Sequence, residues 1–422
     1  MIDLDEARTW VLSACRPLPM VRLPPAGALG LVLGEDVVAA EAVPPFANSS
    51  MDGYALKAAD VACVPARLEV VGTLMAGDDP EGVSVEVGQA VRIMTGAALP
   101  GGADAVCMVE HTRSEDGWVV IEEAVRVSTN VRPPGDDIAS GDLVFAAGAR
   151  LGAAHVAVLA SLGVGEVVAH RRPRASVMST GDELVSDGRP LGAGKIRDSN
   201  RPGLLAQLGA DGFEPVDLGW VADEPGTLAA ALEGAAEACD AVLTSGGVSV
   251  GDRDVVRAVL EKLGGERARW MQVAVKPAKP FAFSLLGPRA TPVFGLPGNP
   301  VSAMVSYELF ARPALRLMAG HRCLGRPELR ATAGVDLPRR PDGKLHLARV
   351  VLSTGPAGEV LAKPSGGQGS HQMLSLAGAN ALALLPDGHG VSAGGPLRVW
   401  LLDTDVLAGA GASRAPWSPP GS

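Results

Sequence analysis

Apolar residues in the first positions recur at helical spacing. Leu4, Trp10, Val11 and Ala14 fall near one face, and Pro17 and Pro19 end the run, so residues 3–15 are predicted to form an amphipathic helix. Residues 28–43 read as strand and turn. From 44 to 140 the period shortens. Alternating runs at 68–71, 91–94, 105–109 and 119–121 lie between Gly, Pro and Asp clusters, which predicts a β-rich region. Residues 151–169 read as a helix, a stop at Gly163 and a strand. Strand and helix patterns then alternate: strand 175–179, helix 227–238, strand 241–243, helix 255–263, strand 292–295 and a long helix 302–318. That alternation predicts a doubly wound, parallel α/β sheet. Short strands return over 327–403, clearest at 345–352 and 397–402, and predict a small β-barrel or sandwich. The Gly, Ala, Ser and Pro of 408–422 predict disorder.

Length and charge narrow the picture. At about 150 residues per domain, 422 residues imply roughly three domains. Lys and Arg number 37 against 47 Asp and Glu, a net charge of −10, which argues against general nucleic-acid binding and leaves room for a local basic pocket. The five cysteines (Cys15, Cys63, Cys107, Cys239, Cys323) include no CxxC pair, so a zinc knuckle or redox dithiol is unsupported. Their odd number fits a reducing compartment. The acidic start lacks a signal-peptide pattern, and the most apolar stretch, 151–169, is interrupted by His155 and Glu166. The expectation is a cytoplasmic protein with no membrane span.

Ligands of open α/β sheets sit beyond the carboxyl ends of the strands. Three Gly- or Pro-rich turns fall there: Ser179-Thr180-Gly181-Asp182-Glu183, Ser245-Gly246-Gly247-Val248-Ser249-Val250-Gly251-Asp252 and Gly295-Leu296-Pro297-Gly298-Asn299-Pro300. The second resembles a phosphate cradle, because glycines let backbone N–H groups approach an oxyanion and a helix follows. It is neither a Walker A loop nor GxGxxG. A tight capped turn is an equally good reading of the pattern alone. In Lys276-Pro277-Ala278-Lys279-Pro280, two prolines hold two cations that suit phosphate, although solvated surface lysines are the commoner case.

In the β-rich region, Asp52 (within Asn48-Ser49-Ser50-Met51-Asp52-Gly53-Tyr54) and Asp137 (after Arg132-Pro133-Pro134) offer hard oxygens suited to Mg²⁺. On residue type alone, turn nucleation is the better reading. The histidines are scattered, no Gly-x-Ser-x-Gly supports a serine hydrolase, and Arg349 and His371 read as surface polar residues.

Together these segments resemble one family, the MoeA-type molybdopterin molybdenumtransferases, which include the E domain of gephyrin. The resemblance rests on the runs above, on residues 45–55, on Arg92-Ile93-Met94-Thr95-Gly96-Ala97, on Lys195-Ile196-Arg197-Asp198-Ser199-Asn200, and on Gly367-Gln368-Gly369-Ser370-His371 and Ala379-Asn380. Each run is weak; their ordered set, from about residue 5 to 403, is specific. One departure is Ala47, where the family usually has Asp. We expect a turn-forming position there, since Asp52 remains.

The resemblance implies an enzyme that takes adenylylated molybdopterin and molybdate, with Mg²⁺ releases AMP, and leaves molybdenum on the dithiolene sulfurs. It implies an elongated homodimer of four-domain chains. Those domains would be α/β (1–21 and 173–322), connecting (22–40 and 141–172), inserted β-rich (41–140) and C-terminal β-barrel (323–407). Asp52, Thr95 and Asp137 of one chain would meet Glu183, Ser249 and Lys279 of the other. It implies catalytic roles for Asp52, Thr95, Asp137, Glu183, Asp223 and Asp254, with Asp52 and Glu183 at the metal. Substrate would be bound by Arg132, Ser245, Gly246, Gly247, Ser249, Asp252, Lys276, Lys279, Pro297 and Pro300. The molybdopterin adenylyltransferase is the partner that would supply substrate. Alternatives are an adenylyltransferase, which would need only the α/β domain, a non-catalytic scaffold, and the same reaction with tungstate.

Overall fold

The computed structural model describes residues 1–186, 188–247 and 255–403. The expected disorder of 408–422 lies outside the described residues. The chain forms two compact units, Met1–Met20 with His170–Ser422, and Val21–Ala169.

The first unit holds a six-stranded sheet. Its order is Glu214–Val221, Arg174–Thr180, Ala241–Ser245, Thr291–Leu296, Pro280–Leu286 and Arg269–Gln272. The first four strands are parallel. Pro280–Leu286 runs antiparallel to both neighbours, so the sheet is not wholly parallel as expected. The reason is local. Only a tight turn, with Gly287 at φ 64° and Ala290 at φ 52°, joins it to the next strand, and a parallel pair would need a long crossover.

Helices cover both faces, which is why the three central parallel strands are buried almost throughout. One face packs Leu4, Ala7 and Val11 of helix Leu4–Ala14 with Leu204 and Leu208 and with Val301, Leu309 and Leu315. The other packs Leu228 and Leu232 of helix Pro225–Ala238 with Val256 and Leu260 of helix Val255–Gly264.

Helix Asn200–Ala210 and strand Glu214–Val221 were not predicted. Pro202 and Gly203 obscure the helix, yet proline is tolerated in a first turn. A Cβ on Gly203 would meet Met304 Sδ at 3.2 Å, so the glycine permits close helix packing. The predicted long helix begins at Pro300 and carries a π turn, Tyr307–Ala311, in its middle. The turn places Glu308 against Arg326 (2.8 Å) and near Arg312, with Asp211 completing a buried ionic cluster.

The C-terminal part is the expected barrel. Leu345–Thr354, Val360–Pro364, Glu328–Ala333, Pro396–Leu401 and Ala381–Leu385 pair in that order, and the last closes on the first. Val350, Leu352, Ala362, Ala383 and Val399 fill it. Val275–Lys276, from the α/β region, adds to its outside beside Leu345 and His346.

The second unit is β-rich, as predicted. Its six-stranded sheet runs Ala105–Met108, Gly53–Leu56, Gln89–Ile93, Ala66–Leu74, Trp118–Ile121 and Thr112–Glu115. A short ribbon pairs Asn48–Ser49 with Val131–Arg132. Helix Ala153–Ser161 and the strand after Gly163 (φ 66°) match expectation, with Leu151, Leu159 and Val167 buried against Leu31 and Leu33.

Candidate active site

In the first unit the three predicted turns are neighbours, because the strands that feed them are neighbours in parallel register. Ser179 pairs with Ser245, and Ser245 with Leu296. Gly246 (φ 107°) and Gly247 (φ 65°) adopt backbone that L side chains rarely take. A Cβ on Gly246 would lie 2.6 Å from the Thr180 carbonyl oxygen. The Gly246 N–H donates to the Leu296 carbonyl at 3.1 Å, tying the second turn to the third.

Side chains fix the first turn as well. Ser179 Oγ donates to Asp198 at 2.6 Å, and Thr180 Oγ1 to Asp223 at 2.6 Å. Asp223 therefore stands at the strand end, half-buried. Glu183 is exposed and folds back over Gly181. Pro297 is buried, and Pro300 opens the long helix, where its missing N–H is no loss. Ser249, Asp252 and Asp254 lie outside the described residues.

Lys276 and Lys279 line an open cleft of about 750 Å³ with Asn299, Ser302, Lys344 and His371. Both lysines are exposed, and neither ammonium has a hydrogen-bond partner among the described residues. Lys276 also lines an adjoining cavity of about 510 Å³ with Arg339, Asp342, His346 and Arg349. His346 Nε2 lies 3.1 Å from Asp342, and hydrogen bonds from Lys344 and His346 hold the Asp342 carboxyl far below the usual carboxylate range.

Arg349 is not a surface residue; it is fully buried. It donates to Ser375 Oγ (2.8 Å) and to the carbonyls of Gly367 (2.7 Å) and Gly369 (3.1 Å), and its Nη1 has no partner. The available signal was its parity. Arg349 shares the alternation of Leu345 and Leu347 and so faces the same side of its strand. His371 is exposed, as read. A larger cleft of about 990 Å³ beside the first helix is different in kind: Arg326 there is tied to Glu308 and Arg398 to Glu328.

In the second unit, Asp52 Oδ1 accepts from both the backbone N–H and the hydroxyl of Thr95, each at 2.7 Å. Those bonds, helped by the nearby charge of Arg92, hold the exposed Asp52 carboxyl below its ordinary value. Arg92 has no role in the sequence reading. Arg132 lies on the ribbon opposite Asn48. The Asp137 N–H donates to the Val43 carbonyl at 3.0 Å, leaving the carboxylate exposed. Ala47 contributes its carbonyl, which accepts from Leu99 N–H at 2.9 Å.

Among the described residues, no three His, Cys, Asp or Glu side chains converge on a cation position. Asp52 and Glu183 belong to different units. Each offers one exposed carboxylate, which fits Mg²⁺, an ion that takes one or two carboxylates and completes its shell with phosphate and water.

A three-turn carboxyl edge on a doubly wound sheet, a β-barrel and a β-rich unit define a multidomain protein of MoeA-like fold. Residues 2–163 match the MoeA N-terminal region (domain I and II), 176–317 a probable molybdopterin binding domain, and 330–402 the MoeA C-terminal region (domain IV). The molybdopterin molybdenumtransferase of Haemophilus influenzae is 37% identical over 398 residues, covering 93% of this chain and 97% of the relative. That of Bacillus subtilis is 34% identical over 397 residues, covering 92% and 89%. The crystal structure of the molybdopterin biosynthesis MoeA protein from Pyrococcus horikosii superposes with a TM-score of 0.80 at 29% identity, covering 96% of this chain and 100% of that one. The chain belongs to the MoeA family of molybdopterin molybdenumtransferases.

Proposed function

We propose that this protein transfers molybdenum from molybdate to adenylylated molybdopterin and releases AMP. One observation carries the reading: three glycine- and proline-built turns converge at the carboxyl edge of the sheet, in a unit that also presents two lysines whose ammonium groups have no partner among the described residues. Charge neutralisation and positioning are what cleavage at phosphorus requires.

On a turn shaped by Gly246, whose own N–H is bonded to Leu296, the Gly247 amide with Ser245 and Ser249 would hold substrate phosphate, Asp252 would coordinate Mg²⁺ or orient water, and Pro297 and Pro300 would keep the neighbouring turn in one shape. Lys276 and Lys279, with the unpaired Nη1 of Arg349, suit the molybdate oxyanion. Asp52, Thr95, Asp137 and Arg132 would be brought to this edge by a second copy in a homodimer. Glu183, Asp223 and Asp254 would complete the acidic side. Asp52 and Glu183 would hold Mg²⁺, which supplies charge neutralisation at the phosphate oxygens. The substrate would come from a molybdopterin adenylyltransferase.

The four-domain division (1–21 with 173–322, 22–40 with 141–172, 41–140 and 323–407) belongs to the same proposal, as does a cytoplasmic location. No helix among the described residues is long and apolar enough to cross a membrane. An adenylyltransferase or a scaffold is disfavoured, because similarity to the molybdenumtransferases extends through all three matched regions.

The test is AMP release from adenylylated molybdopterin with and without molybdate and Mg²⁺, with molybdenum counted on the pterin product. Release that depends on both, with the metal retained, is expected. Tight substrate binding without release would overturn the enzyme reading. Equal release with tungstate would leave the reaction class intact and remove the preference for molybdate.

A further inference from the structure

Asn200 opens helix Asn200–Ala210 and is 9% exposed. Its amide nitrogen lies 2.7 Å from the Gly298 carbonyl oxygen and 2.7 Å from Ser245 Oγ. One side chain thus joins the second and third turns of the candidate site. These turns are themselves in contact, since a Cβ on Gly298 would sit 3.7 Å from Gly246 Cα.

The proton arrangement follows from these two partners. A carbonyl oxygen only accepts, so the group facing Gly298 is the NH₂ and not the amide oxygen. That NH₂ carries two hydrogens, one for Gly298 and one for Ser245. Ser245 Oγ therefore accepts, and its own hydrogen is directed elsewhere. No acceptor among the described residues takes it, although Ser245 is only 3% exposed. A buried hydroxyl whose lone pair is occupied and whose proton has no acceptor among the described residues is set to donate to an anion.

We infer that Asn200 is a positioning residue, which fixes Ser245 as a hydrogen-bond donor toward the anion held at the Gly246–Gly247 turn. The inference rests on the phosphate-binding reading of that turn. It adds that the polarity of Ser245 is set from behind, by a residue that does not touch the substrate.

The test is AMP binding to the full-length protein by calorimetry, for Ser245→Ala, Asn200→Ala, Asn200→Asp and the Asn200→Ala/Ser245→Ala double variant. Loss of one hydrogen bond to an anion predicts about tenfold weaker binding for Ser245→Ala, and a similar loss for Asn200→Ala. Because Asn200 acts through Ser245, the double variant should bind no more weakly than Ser245→Ala. Asn200→Asp keeps the shape but accepts from Ser245, so it should also weaken AMP while its melting temperature still reports a folded protein. It carries the test if Asn200→Ala does not fold.

Losses that multiply in the double variant would overturn the inference. So would an Asn200→Ala protein that melts lower yet binds AMP as wild type. If Ser245→Ala itself binds AMP unchanged, the phosphate-binding reading of the turn falls, and the inference falls with it.

Discussion

Replacing Gly246 by alanine tests the cradle at its tightest point. The residue sits at φ 107°, beyond the ordinary left-handed region, and holding an L residue there costs about 1–3 kcal/mol. The added Cβ would fall 2.6 Å from the Thr180 carbonyl oxygen. That atom is backbone of a central strand, so the turn has to move instead. Movement breaks the Gly246 N–H bond to Leu296, worth about 1 kcal/mol. Together these predict a loss of about 2–4 kcal/mol, read as a lower urea midpoint with an unchanged slope.

Gly212 gives the control. It has φ 84° in the same unit but nothing within 4 Å of its would-be Cβ, so its alanine variant should show strain alone. AMP release should fall much further for Gly246→Ala than for Gly212→Ala. Equal midpoints for wild type and Gly246→Ala, with equal turnover, would refute the account of the turn.

Four further outcomes follow from the geometry. Asp52→Asn should keep the fold and lose most AMP release; an unchanged rate would remove Asp52 from the site. Thr95→Val removes the hydroxyl that stabilises the Asp52 carboxylate. The Asp52 pKa should rise toward its ordinary value, and the acid limb of the pH–rate profile should move to higher pH; a fixed limb would contradict that. Lys279→Ala should raise the molybdate or nucleotide concentration for half-maximal rate, and a shift in neither would mark it as solvated surface. Arg326→Met strands Glu308 and Asp211, which are 3% and 6% exposed, with Arg312 as their remaining cation. Breaking such a buried set predicts a loss of about 3 kcal/mol. The loss should appear as a lower midpoint in chemical denaturation with an unchanged slope, and an unchanged midpoint would contradict the role of the cluster.

Much of this was legible before the structure. Buried parallel strands are short apolar runs with helices between them, and the runs ending at Thr180, Ser245 and Leu296 announce both the sheet and its three turns. Asp52 and Thr95 lie 43 positions apart; Asp52 stood out as the acidic centre of a polar run, and Thr95 through the run Arg92-Ile93-Met94-Thr95-Gly96-Ala97. Strand Glu214–Val221 escaped because it is an edge strand, mostly exposed, with Pro215 and Gly219 breaking its pattern. The antiparallel strand escaped because direction is set by the length of a connection, not by apolar period. Arg349 and Asn200 escaped for another reason: whether a polar side chain is buried depends on partners far along the chain, here Ser375, Ser245 and Gly298.

The strand Val275–Lys276 carries a consequence for how the molecule is made. It leaves the α/β sheet after Gln272, where Ala274 N–H bonds the Ile2 carbonyl, joins the barrel beside Leu345, and returns to the sheet at Pro280. The lysine bend is thus knitted to the first residues of the chain and to a strand made some 70 residues later. A nascent chain released at the end of the long helix could bury most of the α/β core, but Lys276 would have no neighbour to pair with. The bend that presents the cations is completed only when the barrel arrives, so a truncated product lacks the arranged lysines and is screened out of the chemistry by its own topology.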